Sequence, residues 1–364
     1  MSESRPDQWV SNATIDEVAL FLPRRGPVAV LTHAKPDGDA IGSTLALVRA
    51  LRAVGADAAG VFPAPWFGRF DPFLADTPVV RLPPGEAAAN TLRNNAVTRD
   101  PAAVAIVDTG SWAQVADARS WLEPLAARAV VVDHHPSGNA EIADRRCIVT
   151  AAAAACEIIA PLVQRLLGVA SAAKLPPAIA EPLYLGLATD TGWFRYSNTR
   201  PVTLRLAADL MDAGADHSRV LAISEQSDRP ARLRIVGKAL ESLELIADGR
   251  VAVMSVSLAD LAAAGADLDD AGGLTDLPQA VASVRAVAVL TEAEPGVTKV
   301  SLRSKPPILG VPGAERLIDV NLVARRFGGG GHVHASGAKI KADLADARRQ
   351  VGQALTEALA EAAP

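Results

Sequence analysis

Three short apolar runs, Val28 to Leu31, Ala103 to Val107 and Ala129 to Val132, each break off at a cluster of polar residues. Strands buried on both faces of a parallel sheet read this way. Between them lie helical patterns such as Ile41 to Val54, closed by Gly55. Strand and helix alternate, so the first part of the chain is predicted to be α/β, with a doubly wound, mainly parallel sheet. In such sheets ligands bind at the carboxyl ends of strands, where the polar clusters fall. The stretch Val61 to Pro84 is dense in proline and aromatic residues and is predicted to be an irregular surface or covering segment. Glu157 to Leu167 is predicted helical and Lys174 to Pro182 a proline-rich turn. A helix-like Leu183 to Ala188 then presents Thr189 and Asp190.

From Ser218 to Leu245 apolar residues recur at helical spacing with charges between them, the pattern of a helical linker. Beyond it the period changes. Val251 to Val256, Val284 to Leu290 and Val297 to Leu302 are predicted strands, and Leu317 to Arg326 a helix entering the glycine run Gly328 to Gly331. The expected organisation is a first domain over 1–217, a helical linker over 218–245 and a smaller α/β domain over 246–364. A length of 364 residues suits two domains, and 49% hydrophobic with 4% aromatic residues suits α/β layers better than an aromatic-cored β-sandwich.

With 36 Lys plus Arg against 41 Asp plus Glu, the net charge is -5. No global basic field gathers long duplex nucleic acid, so any nucleic-acid substrate is expected to be short. The cysteines, Cys147 and Cys156, form no CxxC pair, which argues against a disulfide framework or a zinc site and for a cytoplasmic protein. The first 25 residues lack the apolar run of a signal peptide or membrane span.

The chemistry concentrates in four places. After the first strand, His33-Ala-Lys-Pro-Asp37-Gly-Asp39 puts an imidazole and two carboxylates in seven positions. Pro36 and Gly38 are expected to bend the backbone so that Asp37 and Asp39 point to different sites. Asp108 ends the second strand, Asp133-His134-His135 ends the third, and Asp190 follows the later helix. A strand-end Asp taken singly is usually a turn former or cap. Packing has no use for so many ionisable groups together, and all four clusters are expected to converge on one sheet edge. Oxygen and nitrogen ligands without thiolates favour two divalent cations, Mn²⁺ first, with Mg²⁺ or Co²⁺ as the other candidates. Two ions ~3.5 to 4 Å apart activate water and neutralise both oxygens of a phosphoryl displacement.

These four motifs, in this order, resemble those of the DHH phosphoesterase superfamily, and Phe327-Gly-Gly-Gly-Gly-His332 through Gly337 resembles the glycine-histidine motif of its DHHA1 domain. The string Thr189 to Asn198 looks like the bacterial bifunctional oligoribonucleases (the nanoRNase type) that also remove the 3′-phosphate of phosphoadenosine phosphate. The resemblance implies that His33, Asp37 and Asp108 hold one metal, that Asp39, Asp108, His134 and Asp190 hold the other, and that Asp108 bridges. It implies that Asp133 orients a neighbouring ligand and that His135 faces the phosphoryl oxygens. It further implies that Arg303, Ser304, Gly329, Gly330, Gly331 and His332 clasp a nucleotide, and it makes a homodimer a candidate assembly. Independently, glycine-rich backbone approaches phosphate closely and Arg grips it bidentately, though four glycines after a helix can equally be a cap and loop.

The function these readings lead to is hydrolysis of RNA of roughly 2 to 5 nucleotides, or of phosphoadenosine phosphate, by metal-activated water. A cyclic dinucleotide phosphodiesterase would use the same metals and a similar clasp. A long single-strand exonuclease would want a basic channel, and a family II pyrophosphatase would carry a basic motif in place of the glycine-histidine one. From another class, an inactive nucleotide-binding regulator would keep the fold without turnover.

Overall fold

The computed structural model describes residues 8–23, 25–66, 68–308, 310 and 317–361. The chain divides into two compact units, Met1–Ser227 and Asp228–Pro364. The segment 218–245 contributes a helix to each, His217–Glu225 to the first and Pro230–Glu241 to the second.

Among the described residues, the first unit is built on six parallel strands: β1 (Pro27–Leu31), β2 (Asp57–Pro63), β3 (Val79–Leu82), β4 (Ala103–Val107), β5 (Ala129–Asp133) and β6 (Arg145–Ile148). Their order is β3-β2-β1-β4-β5-β6. Alternate residues feed opposite faces, as the pleat requires. Val28, Val30, Ala105, Val107, Val130 and Val132 face the helices Gly38–Ala53, Ala155–Leu167 and Pro177–Asp190. Ala29, Leu31, Val104, Ile106 and Val131 face the layer that includes Leu92 and Leu122. Each fully buried Val or Ile contributes roughly 1.5 to 3 kcal/mol.

Two expectations are corrected here. Val61 to Pro84 is not simply irregular, because it carries the end of β2 and all of β3. Ala58, Ala59 and Gly60 gave β2 little strand signal, yet the strand is buried from Ala58 to Pro63, and burial overrides propensity. Lys174 to Pro182 is not a turn throughout. The helix begins at Pro177, where a missing N–H is harmless, and continues through Pro182. Pro182 cannot bond the Ala178 carbonyl four residues back. The Arg49 guanidinium donates to it instead, at 2.5 Å.

The second unit holds a mixed sheet of β7 (Glu244–Ile246), β8 (Val251–Val256), β9 (Ala286–Glu294), β10 (Val297–Ser304), β11 (Gly330–His332) and β12 (Ala335–Ile340), in the order β11-β12-β10-β9-β8-β7. All pairs are antiparallel except β8 with β9. Val300 and Leu302 pack with the helices Val320–Arg325 and Leu344–Glu361. On the other face, Met254 and Val287 pack with Ile235 and Ala239 of the helix Pro230–Glu241. Among the described residues no helix is long and apolar enough to cross a membrane.

Candidate dinuclear metal centre

From β1 the chain turns to β2 and β3 on one side, then returns to place β4 on the other side of β1. Such a reversal opens a crevice at the carboxyl ends of the two strands. His33 lies two residues past β1, Asp108 directly past β4, and Asp133 is the last residue of β5. The Thr32 hydroxyl donates to the Val107 carbonyl at 3.0 Å, and the Asp108 amide donates to the Val132 carbonyl at 3.1 Å, tying the three strand ends together.

Asp108 has φ 61°, a left-handed conformation that Asp tolerates better than most residues, at a cost of order 1 kcal/mol. Its carboxylate is buried. Oδ2 lies 3.4 Å from His33 Nε2, and Oδ1 lies 3.4 Å from His134 Nε2. The Nδ1 atoms of these rings face the backbone carbonyls of Ala34 and Ala152, at 2.9 and 3.3 Å. With Nδ1–H donating there, both Nε2 atoms are turned to the carboxylates.

Asp37 and Asp39 diverge as expected, for a different reason. Asp37 is the N-cap of the helix Gly38–Ala53, accepting from the amides of Asp39 and Ala40 at 3.0 and 3.1 Å. Asp39 lies inside that helix and accepts from the amides of Ala155 and Cys156, at 2.5 and 2.9 Å. It thereby caps a helix whose own N-cap, Ala154, has no side-chain acceptor. Gly38 does not bend the chain. A Cβ there would collide with Thr189, and one at Gly186 would stand 2.6 Å from Asp39 Oδ1. These two contacts bring the helix carrying Asp39 against the helix ending in Asp190.

Among the described residues, three sets of ligand atoms fall close enough to hold a cation: His33, Asp37 and Asp108; Asp39, His134 and Asp190; and Asp108, His134 and His135. His134 Nε2 is 3.6 Å from Asp190 Oδ2. Asp133 Oδ1 accepts from the amides of His134 and His135, at 2.8 and 3.2 Å, and from His135 Nδ1 at 2.8 Å. Among the described residues, buried Asp108 Oδ1 and Asp133 Oδ2 find no hydrogen-bond partner. The buried carboxylates of Asp39, Asp108 and Asp133 require positive charge. Protons supply part of it. Burial would lower the His33 and His134 pKa values, but the contact with Asp108 and the surrounding acids outweighs it and raises both to about 10. Burial, then the charge of Asp108, raises Asp39 to about 7. The oxygen and nitrogen donor set fits divalent cations in place of those protons.

In the second unit, Arg303 of β10 and His332 of β11 both pair in register with Ala335 of β12. Directly opposed residues share a face, so Arg303 and His332 stand on the same face of the sheet. Ser304, next to Arg303, belongs to the other face. It is buried, and its Oγ contacts His334 Nδ1 at 3.1 Å. The structure therefore separates Ser304 from Arg303 and gives His334, which the sequence did not single out, a structural partner. Part of the glycine run serves packing: a Cβ on Gly329 would collide with the Gly337 carbonyl. Gly330 and Gly331 lie in β11 beside β12. Asn198 closes the string Thr189 to Asn198 but was given no role of its own by the sequence; its Nδ2 donates to the carbonyls of Ala153 and Asp190, at 3.0 and 3.1 Å.

Comparison with known proteins agrees with this architecture. Residues 27–187 match the DHH family, N-terminal domain, and residues 248–361 match the DHHA1 domain. The bifunctional oligoribonuclease and PAP phosphatase NrnA of Thermus thermophilus is 33% identical over 98% of this chain and 97% of its own. The Bacillus subtilis protein of the same name is 26% identical over 85% of this chain and 87% of its own. The crystal structure of an exopolyphosphatase-related protein from Bacteroides fragilis superposes with a TM-score of 0.79 at 20% identity, covering 97% of this chain and 98% of that one, which is a likeness of fold. With both domains matched in order and a relative similar over nearly its full length, the chain belongs to the DHH phosphoesterase family, in the form that carries a DHHA1 domain.

Proposed function

We propose that the protein is a Mn²⁺-dependent phosphoesterase that hydrolyses oligoribonucleotides of roughly 2 to 5 nucleotides and the 3′-phosphate of phosphoadenosine phosphate. The observation that carries this reading is Asp108, buried between two ligand sets with one oxygen toward each. One cation would be held by His33, Asp37 and Asp108, the other by Asp39, Asp108, His134 and Asp190. Two such ions supply Lewis acidity at the phosphoryl group and a nucleophile from water at neutral pH. Imidazole ligands on both sides favour Mn²⁺ over Mg²⁺.

The protein's own groups do the rest. Asp133 accepts three hydrogen bonds from the His134-His135 segment and so fixes the His135 ring. Burial lowers the His135 pKa, but the hydrogen bond to Asp133 outweighs it and holds the ring above its ordinary value. A protonated imidazole anchored at Nδ1 is assigned to the phosphoryl oxygens, where it stabilises the charge of the transition state. Arg303 and His332, sharing a sheet face, are assigned to the nucleotide. The net charge of -5 supports short substrates over long ones. Cys147 and Cys156, both free and buried, suit a reducing cytoplasm.

The test is a substrate panel with Mn²⁺: a dinucleotide, phosphoadenosine phosphate, a cyclic dinucleotide and a long RNA. Fastest turnover of the first two supports the proposal. Fastest turnover of the cyclic dinucleotide moves the assignment to signalling, and binding without turnover of any of them replaces it with a nucleotide-binding regulator.

A further inference from the structure

We infer that Trp9 is a positioning residue for the centre, a wedge that sets the spacing of the loops carrying Asp108 and His134-His135; as a statement about catalysis this rests on the function proposed above.

The Trp9 indole Nε1 donates to the His135 carbonyl at 3.0 Å, across 126 positions of sequence. Its ring lies against two glycines, one in each loop. Gly110 is two residues past Asp108, and a Cβ there would overlap the Trp9 ring; Gly138 is three residues past His135, and a Cβ there would stand 2.6 Å from ring atoms. Asn139 cross-links the same loops, its amide donating to the Gly110 carbonyl at 2.7 Å and its Oδ1 accepting from the Trp112 amide at 3.0 Å. One aromatic plate is thus in contact with both loops and hydrogen-bonded to the backbone of His135.

The wedge is anchored. Ser11 Oγ donates to the Ile148 carbonyl at 2.8 Å and accepts from the Ile148 amide at 2.6 Å. Asn12 donates to the Asp144 carbonyl at 2.8 Å and accepts from the Arg146 amide at 2.7 Å. The amides of Asn12 and Ala13 both donate to the Arg146 carbonyl, at 2.9 and 3.0 Å. The segment is therefore pinned along β6, ahead of the residues 27–187 that match the DHH family. Asp108 must serve two ligand sets and His135 must meet a phosphoryl group. Changing the spacing of their loops misplaces both, and misplacement near 1 Å can cost about 100-fold in rate.

The experiment uses the full chain, with Trp9→Ala, Trp9→Phe, Gly110→Ala and the Trp9→Ala/Gly110→Ala double variant. Read-outs are kcat and KM on the dinucleotide, Mn²⁺ affinity by calorimetry and the thermal midpoint. Trp9→Ala should lower kcat roughly 10- to 100-fold with KM within about threefold, and weaken Mn²⁺ binding. Trp9→Phe keeps the plate and should restore most of both. Gly110→Ala should be as damaging as Trp9→Ala, and the double variant no worse than either, since removing the ring makes room for the methyl. Wild-type kcat and Mn²⁺ affinity in folded Trp9→Ala, or strictly additive losses in the double variant, would overturn the inference. If the intact protein turned over no phosphoester, the proposed function would fail, while Mn²⁺ affinity in the same variants would still decide whether Trp9 sets the loops.

Discussion

Asp108 Oδ2 and Oδ1 stand 3.4 Å from His33 Nε2 and His134 Nε2 respectively, so a single buried carboxylate faces two imidazoles from different strand ends. The sheet order produces this. Because β1 and β4 flank the reversal, His33 after one and Asp108 after the other share the crevice, and β5 brings His134 alongside.

The charge balance of the centre makes the metal-free protein's stability depend on pH. His33 and His134 rise from the ordinary 6.5 to about 10 on folding. Their stabilising contribution is complete below 6.5 and lost as pH rises through about 10. Asp39, raised to about 7 from 3.8, costs stability as pH climbs across that interval. The thermal midpoint of EDTA-treated protein should therefore fall between pH 6.5 and 9, and the increase on adding Mn²⁺ should grow over the same range as protons compete less. A metal-free midpoint that is flat or rises would contradict this.

In the proposed function Asp133 acts through the His135 ring it holds. Asp133→Asn keeps one acceptor oxygen but loses the negative charge that raises the His135 pKa. The expected result is a fall in kcat of about 100-fold. The alkaline limb of the kcat profile should also move to lower pH. An unshifted profile would mean that His135 does not act as the charged group.

The two neighbours on β10 should separate cleanly. Arg303→Ala is expected to raise KM for the dinucleotide about tenfold with little change in kcat. Ser304→Ala should leave KM unchanged and lower stability by about 1 kcal/mol, through the lost contact with His334. Steady-state kinetics and urea unfolding of both variants decide it.

Arg49 supports the helix that ends in Asp190. Besides the Ala178 carbonyl beneath Pro182, it bonds Thr77 Oγ1 at 2.7 Å and the Phe73 carbonyl at 2.6 Å. Arg49→Met should cost about 2 to 4 kcal/mol in urea unfolding, because carbonyls lose their donor. A loss below about 0.5 kcal/mol would show that water replaces the guanidinium.

The legibility of the sequence followed from the same physics. β1, β4 and β5 stood out because strands covered on both faces are continuous runs of Val, Ile and Ala. β2 and β3 did not, since Ala58-Ala59-Gly60 and the flanking prolines carry no strand signature and acquire one only through burial. The helix Pro177–Asp190 was hidden at its start by prolines: Pro177 costs nothing at the first position, and the carbonyl that Pro182 leaves open is met by Arg49, a residue more than a hundred positions away. The acidic and histidine clusters were legible because folding gives no other reason to gather them. Arg303 and Ser304 looked like one unit until strand alternation sent them to opposite faces. Trp9 was beyond reach, because nothing local marks a side chain whose partner is the carbonyl of His135.

The most direct test of the account is a titration of metal-free protein with Mn²⁺, recording bound metal and dinucleotide hydrolysis in the same samples, beside Asp108→Asn. Activity should appear as the second ion binds, and Asp108→Asn should weaken both ions and lower turnover by at least about 1,000-fold. Full activity with one ion bound, or an Asp108→Asn variant that retains both ions and wild-type turnover, would contradict it.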